Sequence, residues 1–274
     1  MGKDFWNDVN NAYEKNRSAL IVGLDPIIDS MPSTISNSVV DIEIFLTDII
    51  DSTSDLVCGY KPNLAFYLAL GKNGIILLHN VIEHIKTDYP ELVVIIDGKF
   101  NDVSHTAEKY SEFAKSLGAD AVTLNPYLGK DTLAPFMNKG LAIIMLCVTS
   151  NPSFADLECL MVDNEPMYLS VAEYANRWSE QFGSRIGLVV GATHPEVFGK
   201  IREKAPYSPF LIPGIGVQGG DIEKSVRYGI TQDSFPPMIV SARSILYASS
   251  DEDYAQAARD KAQKTKLKIN SLIK

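Results

Sequence analysis

Residues 97–106 read Asp97-Gly98-Lys99-Phe100-Asn101-Asp102-Val103-Ser104-His105-Thr106, directly after the apolar run 92–96. Two carboxylates and one ammonium thus fall within six positions. In an extended strand Asp97 and Lys99, two apart, point the same way; Asp102 belongs to the loop beyond. Charges at the buried end of a strand must be paired, which is costly to build for stability alone. With Lys61 the set alternates in sign, so opposite charges hold one another ionised. A carboxylate fixed beside a reacting carbon repels a substrate carboxylate. The adjacent ammonium stabilises a carbanion and returns a proton. The competing reading is a purely structural ion-pair network.

A second constellation suits an anion. Pro213-Gly214-Ile215-Gly216-Val217-Gln218-Gly219-Gly220-Asp221 leaves an apolar run and opens a helical pattern. Glycines let backbone N–H groups approach a phosphate, and a helix start favours negative charge. Arg243, at the end of the next apolar run, adds a guanidinium fork. The alternative is a plain turn beside a surface arginine. Other polar residues are weaker candidates. His79 and Glu83 share a helical face without a third ligand, and read as surface. His105 adjoins the charged motif and is a candidate lining residue. His194 precedes Pro195 and reads as a loop or helix-start residue. No zinc-type Cys/His spacing, G-x-S-x-G elbow or Walker loop occurs.

What positions these groups is a repeating unit. Eight short apolar runs, at 19–25, 56–61, 92–97, 119–125, 141–148, 186–193, 210–216 and 238–243, alternate with helical patterns. The runs lack period-two alternation, as strands covered on both faces do. A further amphipathic helix is expected at 4–17, and an uncommonly long connection at 151–164. Eight βα units in this length predict a closed (β/α)8 TIM barrel, one domain over residues 1–274 with an N-terminal helix. An open doubly wound sheet is the alternative. In a barrel the C-terminal strand ends form one rim. That rim carries Asp25, Lys61, Asp97, Lys99, Ser150, Thr193, Gln218 and Arg243.

Composition narrows the function. The chain has 274 residues, 46 % of them apolar, with 34 acidic and 25 basic side chains, net −9. That balance argues against a general nucleic-acid binder but leaves room for a small anionic ligand. Cys58, Cys147 and Cys159 form no close-spaced pair, as expected of free thiols in a reducing compartment. The N-terminal residues lack a hydrophobic secretion signal, and no apolar run is long enough for a bilayer. A soluble cytoplasmic protein is expected.

Together these motifs resemble the orotidine 5′-phosphate decarboxylase family, in its longer-chain branch. The resemblance rests on Gly-Leu-Asp-Pro at 23–26, Lys-Pro at 61–62 and Asp-x-Lys-x-x-Asp at 97–102 with Thr106 following. It also rests on Thr-Ser-Asn-Pro at 149–152, Val-Gly-Ala-Thr at 190–193, Pro-Gly-Ile-Gly-x-Gln-Gly-Gly-Asp at 213–221, and Arg243. It implies decarboxylation of orotidine 5′-phosphate to UMP without metal or organic cofactor. Lys99 would stabilise and protonate the C6 carbanion. Asp97 would stress the substrate carboxylate and hold Lys61 and Lys99. Asp25 and Lys61 would bind ribose hydroxyls, Ser150 with Thr149 the pyrimidine, and Gln218 with Arg243 the phosphate. Asp102 and Thr106 would reach into the partner's site of a homodimer. Some relatives carry an aromatic hydroxyl just past the glutamine, where this chain has Gly219-Gly220. Two other readings remain. One is a sugar-phosphate barrel using a metal-bound enediolate, which needs an acid where Lys61 stands. The other is a non-catalytic nucleotide-binding barrel, which would tolerate loss of Asp97 or Lys99.

Overall fold

Short runs of β-branched and aliphatic residues that are buried on both faces need a sheet covered on both sides. In the computed structural model, which describes residues 4–216 and 219–273, they form one. Among these residues eight parallel strands close into a barrel in sequence order. They are β1 (Leu20–Gly23), β2 (Gly59–Lys61), β3 (Val93–Phe100), β4 (Ala121–Leu124), β5 (Ala142–Val148), β6 (Ile186–Val190), β7 (Phe210–Ile212) and β8 (Met238–Ser241). Closure is the pairing of β8 with β1, Leu20 opposite Ile239. The (β/α)8 barrel is therefore the fold, and an open sheet is ruled out. Helices follow the strands, and their apolar faces complete the core: Ile42, Phe45, Leu46 and Ile49 of helix Val39–Thr53 are fully buried.

Local chemistry starts several helices. Asp4 accepts from the Trp6 N–H at 3.2 Å, Asn63 from Ala65 at 3.1 Å and Asp221 from Lys224 at 3.0 Å, each satisfying an otherwise unpaired N-terminal donor. Helix Phe5–Asn16 packs on the far end of the barrel, where the Trp6 indole donates to the Arg185 carbonyl at 3.0 Å. The helical region after β2 is interrupted at residues 69–70, after helix Leu64–Leu68. Gly71 opens the second helix, Gly71–Asp88, and Gly74 lies inside it.

The long connection has structure of its own. It holds a 3-10 turn, Pro152–Asp156, and a small hairpin pairing Met161–Val162 with Glu165–Pro166. Asp163 and Asn164 both have positive φ, 48° and 66°, the backbone of a tight I′ turn. The strand signal there is only two residues long on each side, so periodicity could not reveal it. A second unforeseen element is the short helix Arg243–Leu246, so Arg243 opens a helix rather than ending β8.

One half-buried cation ties the β7 side together. Arg202, in helix Phe198–Lys204, donates to the carbonyls of Tyr228 (2.9 Å), Ala205 (2.9 Å), Ser208 (2.8 Å) and Gly229 (3.0 Å). Its guanidinium lies 3.7 Å from the centre of the Phe210 ring. It thereby caps helix Ile222–Gly229 and fixes the approach to β7, which carries the glycine-rich exit. Replacing it by methionine fills the space but strands several carbonyls. Arg202→Met should cost about 3 kcal/mol or more, because each buried acceptor left unpaired costs about 1–3 kcal/mol. Arg202→Lys should not restore it, since one ammonium lacks the planar fork. Urea unfolding of the three proteins checks this, and a methionine variant as stable as wild type would contradict it.

Candidate active site

The C-terminal strand ends surround a cavity of about 440 Å³. Lys61, Asp97 and Lys99 stand on one side, Thr149 and Ser150 on another, and Arg243 at a third. Asp25 also borders it. Residues up to 218 positions apart in the sequence, Asp25 to Arg243, thus meet at one mouth.

The charged row is built from β1, β2 and β3. β1 ends at Gly23, and the following turn is held by two tyrosines. Tyr67 donates to the Leu24 carbonyl at 2.9 Å and Tyr247 to the Asp25 carbonyl at 2.9 Å. Asp25 then accepts the Asn63 N–H at 3.2 Å. β2 delivers Lys61, whose side chain is only 5 % exposed and whose Nζ lies 2.7 Å from Asp97 Oδ2. The Asp97 N–H donates to the Pro62 carbonyl at 2.9 Å, which carries the β2–β3 pairing out to the rim. Asp97 Oδ1 accepts from Lys99 Nζ at 2.7 Å. Lys99 is 45 % exposed and faces the cavity mouth, in contrast to its buried counterpart Lys61.

The geometry at Asp97 and Lys99 departs from a regular strand. Pairing with β4 jumps from Ile96–Val122 to Phe100–Leu124, so β3 is bulged. Lys99 has φ 45°, a left-handed conformation that costs a residue with a side chain about 1–3 kcal/mol. The two side chains converge because the backbone is bent there, and not because of simple two-residue alternation. Sequence alternation named the right pair for an incomplete reason.

Burial and charge act against each other along the row. Burial raises the Asp25 carboxyl, with Asp97 adding to it, while Lys61 opposes. Burial would lower the Lys61 ammonium, but Asp97 and Asp25 outweigh it and raise it. Burial would likewise raise Asp97, yet Lys61 and Lys99 overcome this and hold it well below the usual carboxylate range. Asp97 is the ionised hub of the set.

The opposite side of the mouth is set by β5 and its long connection. Glu158 turns back on the strand end, accepting the Thr149 N–H at 3.0 Å and the Thr149 hydroxyl at 2.6 Å. The 151–164 connection therefore fixes the Thr149 side of the cavity. Thr193 does not line the cavity; its hydroxyl donates to the Ser150 carbonyl at 3.1 Å. A Cβ on Gly191 would come within 2.9 Å of Ser150 Cα, so only glycine lets β6 leave behind Ser150.

At the exit of β7, Gly216 has φ 106°, and a Cβ there would sit 2.6 Å from Ser244 Oγ. The glycine-rich exit of β7 thereby packs against the start of helix Arg243–Leu246. Arg243 is exposed, and its guanidinium has no hydrogen-bond or ion-pair partner among the described residues. Gln218 lies outside the described residues.

Asp102 and Thr106 stand apart from this cavity. Asp102 caps the Val103 N–H at 2.8 Å at the entry to helix Ser104–Ser116. His105 lies exposed on that helix and does not line the cavity, contrary to its candidacy. His79 and Glu83 are both exposed on their helix. Cys58, Cys147 and Cys159 are free thiols. Asn63, Phe66, Thr123 and Ser244 also line the cavity and were not singled out from sequence. Asn63 follows the Lys-Pro pair directly, so its place at a strand exit was the one available signal.

Removing the hub should unbalance the row. In Asp97→Asn, the buried Lys61 loses its partner, and breaking such a pair costs about 3–5 kcal/mol. The Asp97 carboxyl is depressed in the fold, so its stabilisation is complete above the unfolded-state value of about 3.9 and fades as pH falls below it. The stability gap between wild type and Asp97→Asn should be full at neutral pH and shrink in acid. Denaturant titrations at both pH values check this; a gap absent at neutral pH would contradict the coupling.

Comparison with known proteins places the whole chain in one family. Residues 18–259 match the model of the Orotidine 5′-phosphate decarboxylase / HUMPS family. The chain is 42 % identical over 269 residues to orotidine 5′-phosphate decarboxylase of Cupriavidus metallidurans, covering 97 % of both proteins. It is 43 % identical over 271 residues to that of Ralstonia nicotianae, covering 97 % of this chain and 98 % of the relative. The structure of Leishmania donovani OMP decarboxylase superposes with a TM-score of 0.84 at 32 % identity, covering 98 % of each chain. Leishmania donovani UMP synthase gives a TM-score of 0.86 at 33 % identity, and this chain spans 56 % of its length. With a family match over most of its length, relatives above 40 % identity and the same barrel, this chain belongs to the orotidine 5′-phosphate decarboxylase / HUMPS family.

Proposed function

We propose that this chain, acting as one barrel domain, decarboxylates orotidine 5′-phosphate to UMP, the closing step of pyrimidine nucleotide synthesis. The observation that carries the reading is Lys99, held 2.7 Å from an ionised Asp97 yet turned to the cavity mouth. The bond from C6 to the carboxyl carbon breaks, CO₂ leaves, and the electron pair stays on C6. The Lys99 ammonium stabilises that carbanion and gives it a proton. Asp97 repels the substrate carboxylate in the ground state and keeps both lysines charged. Asp25 and Lys61 are assigned to the ribose hydroxyls, and Ser150 with Thr149 to the pyrimidine. Arg243 with Gln218 takes the phosphate.

No metal or organic cofactor enters this mechanism, so the protein must supply the whole barrier reduction, ~8–23 kcal/mol for enzymes in general. One ammonium cannot provide that. Phosphate binding at Arg243, remote from C6, contributes by closing the site and excluding water. The metal-dependent sugar-phosphate reading within the same family is disfavoured by charge. Lys61 stands at the β2 end, where that reading needs an acid, and an ammonium there repels a divalent ion.

The working unit on this reading is a cytoplasmic homodimer with shared sites. Asp102 and Thr106 lie outside their own chain's cavity, as residues serving a partner would. Beside them runs an apolar groove of about 740 Å³ from Asn101 to the 161–166 hairpin, lined by Tyr127, Leu157, Val162 and Tyr174. Tyr127 is 81 % exposed in the single chain, a large apolar surface to leave in water. Among the described residues no helix is long and apolar enough to cross a membrane.

Purified protein with EDTA should convert orotidine 5′-phosphate to UMP, followed by the fall in pyrimidine absorbance. Metal-dependent turnover, or none, would overturn the reading. Lys99→Ala should lose about 10⁴-fold or more in kcat, the upper end of a single proton-transfer contribution, while UMP still binds. Mixing inactive Asp102→Ala and Lys99→Ala chains should restore part of the activity through hybrid dimers. No recovery under verified subunit exchange would remove Asp102 from the partner's site.

A further inference from the structure

The β3 bulge leaves one backbone donor that the barrel ladder cannot satisfy. Between the pairs Ile96–Val122 and Phe100–Leu124, β3 advances four residues while β4 advances two. The β4 residue in the gap is Thr123, which is 1 % exposed and borders the cavity. Its hydroxyl oxygen accepts the Lys99 N–H at 2.9 Å. The same hydroxyl donates to Asp97 Oδ1 at 2.8 Å, the oxygen that also accepts from Lys99 Nζ. One proton and one lone pair thus bridge the strained backbone of Lys99 to the carboxylate that aims its side chain.

We propose that Thr123 is a positioning residue for the decarboxylation, holding Lys99 in its left-handed conformation and Asp97 in register with it. This role rests on the function proposed above. Two properties set it apart from an ordinary buried threonine. A left-handed, side-chain-bearing residue persists only where its surroundings over-determine it, and Thr123 provides the only acceptor for the Lys99 N–H among the described residues. The direction of the bridge is also determined. A hydroxyl that gives its proton to a carboxylate is left to accept from an amide, so serine retains both bonds in the same position and valine retains neither.

Valine matches threonine in shape and lacks the hydroxyl, so Thr123→Val isolates the bridge. Misplacing a reacting group by about 1 Å can cost about 100-fold in rate. Thr123→Val should therefore lose about 10- to 100-fold in kcat, while KM and UMP affinity change less than about threefold. Thr123→Ser should return kcat to within about threefold of wild type. UMP binding counts the folded sites in each preparation, so a merely structural defect would show as fewer sites with unchanged turnover per site. If Thr123→Val does not fold, Thr123→Cys replaces it with the same split expected, because a thiol is a weak donor. Unchanged turnover per site in the hydroxyl-free variant, or equal losses in the serine and valine variants, would overturn the positioning role alone. A wild-type protein without decarboxylase activity would overturn the functional reading and this role together.

Discussion

The sharing of one carboxylate by two lysines is the constraint on which the site depends. Asp97 is largely buried, and a lone charge there would be neutralised by desolvation. Lys61 Nζ on one oxygen and Lys99 Nζ on the other, each at 2.7 Å, keep it ionised. The reverse also holds, since Lys61, 5 % exposed, keeps its charge only because Asp97 and Asp25 face it. Each charge is a condition for its neighbours. Three strands must end at matching heights for this to happen, and the barrel's parallel register sets those heights: Gly23 pairs with Lys61, and Asp97 bonds to the Pro62 carbonyl.

Around that hub the division of labour follows the chemistry. The β1–β3 side concentrates charge. The β5–β6 side offers neutral hydrogen-bonding groups, fixed from behind by Glu158 and Thr193. The β7–β8 side offers glycine backbone and the Arg243 guanidinium, which has no partner among the described residues. A ligand with an anionic end, a polar ring and a carboxylate matches this sequence of surfaces. Such separation also places binding energy far from the reacting carbon, where it can be used for closure and orientation.

Among the described strand residues, the one non-glycine residue with a left-handed backbone stands where the chemistry is proposed. Most strand residues sit in regular ladders, whereas β3 is bulged between Ile96 and Phe100 and carries Lys99 at φ 45°. The bulge shortens the reach between Lys99 and Asp97 and opens a gap that Thr123 fills. Rigid neighbours on both sides, β2 and β4, make such a conformation sustainable.

The sequence by itself determined the eightfold βα repeat and most of its rim, while closure rather than an open sheet was decided by the pairing of β8 with β1. Eight apolar runs without alternation can be satisfied only by strands covered on both faces, and their spacing sets the βα repeat. Residues at run ends, such as Asp25, Lys61, Asp97 and Arg243, were legible because a polar residue closing an apolar run marks a strand exit. What tertiary structure decided are contacts whose partners lie far apart or whose backbone departs from a regular form. Thr123 looked like one β-branched residue in a buried strand until the β3 bulge placed it against Lys99. Glu158 looked like one acid in a polar loop until the connection folded back on Thr149. The placement of Asp102 and Thr106 outside their own cavity is of the same kind, since it follows from where helix Ser104–Ser116 packs. Periodicity records which face a residue shows, and only the packed register records which residue it meets there.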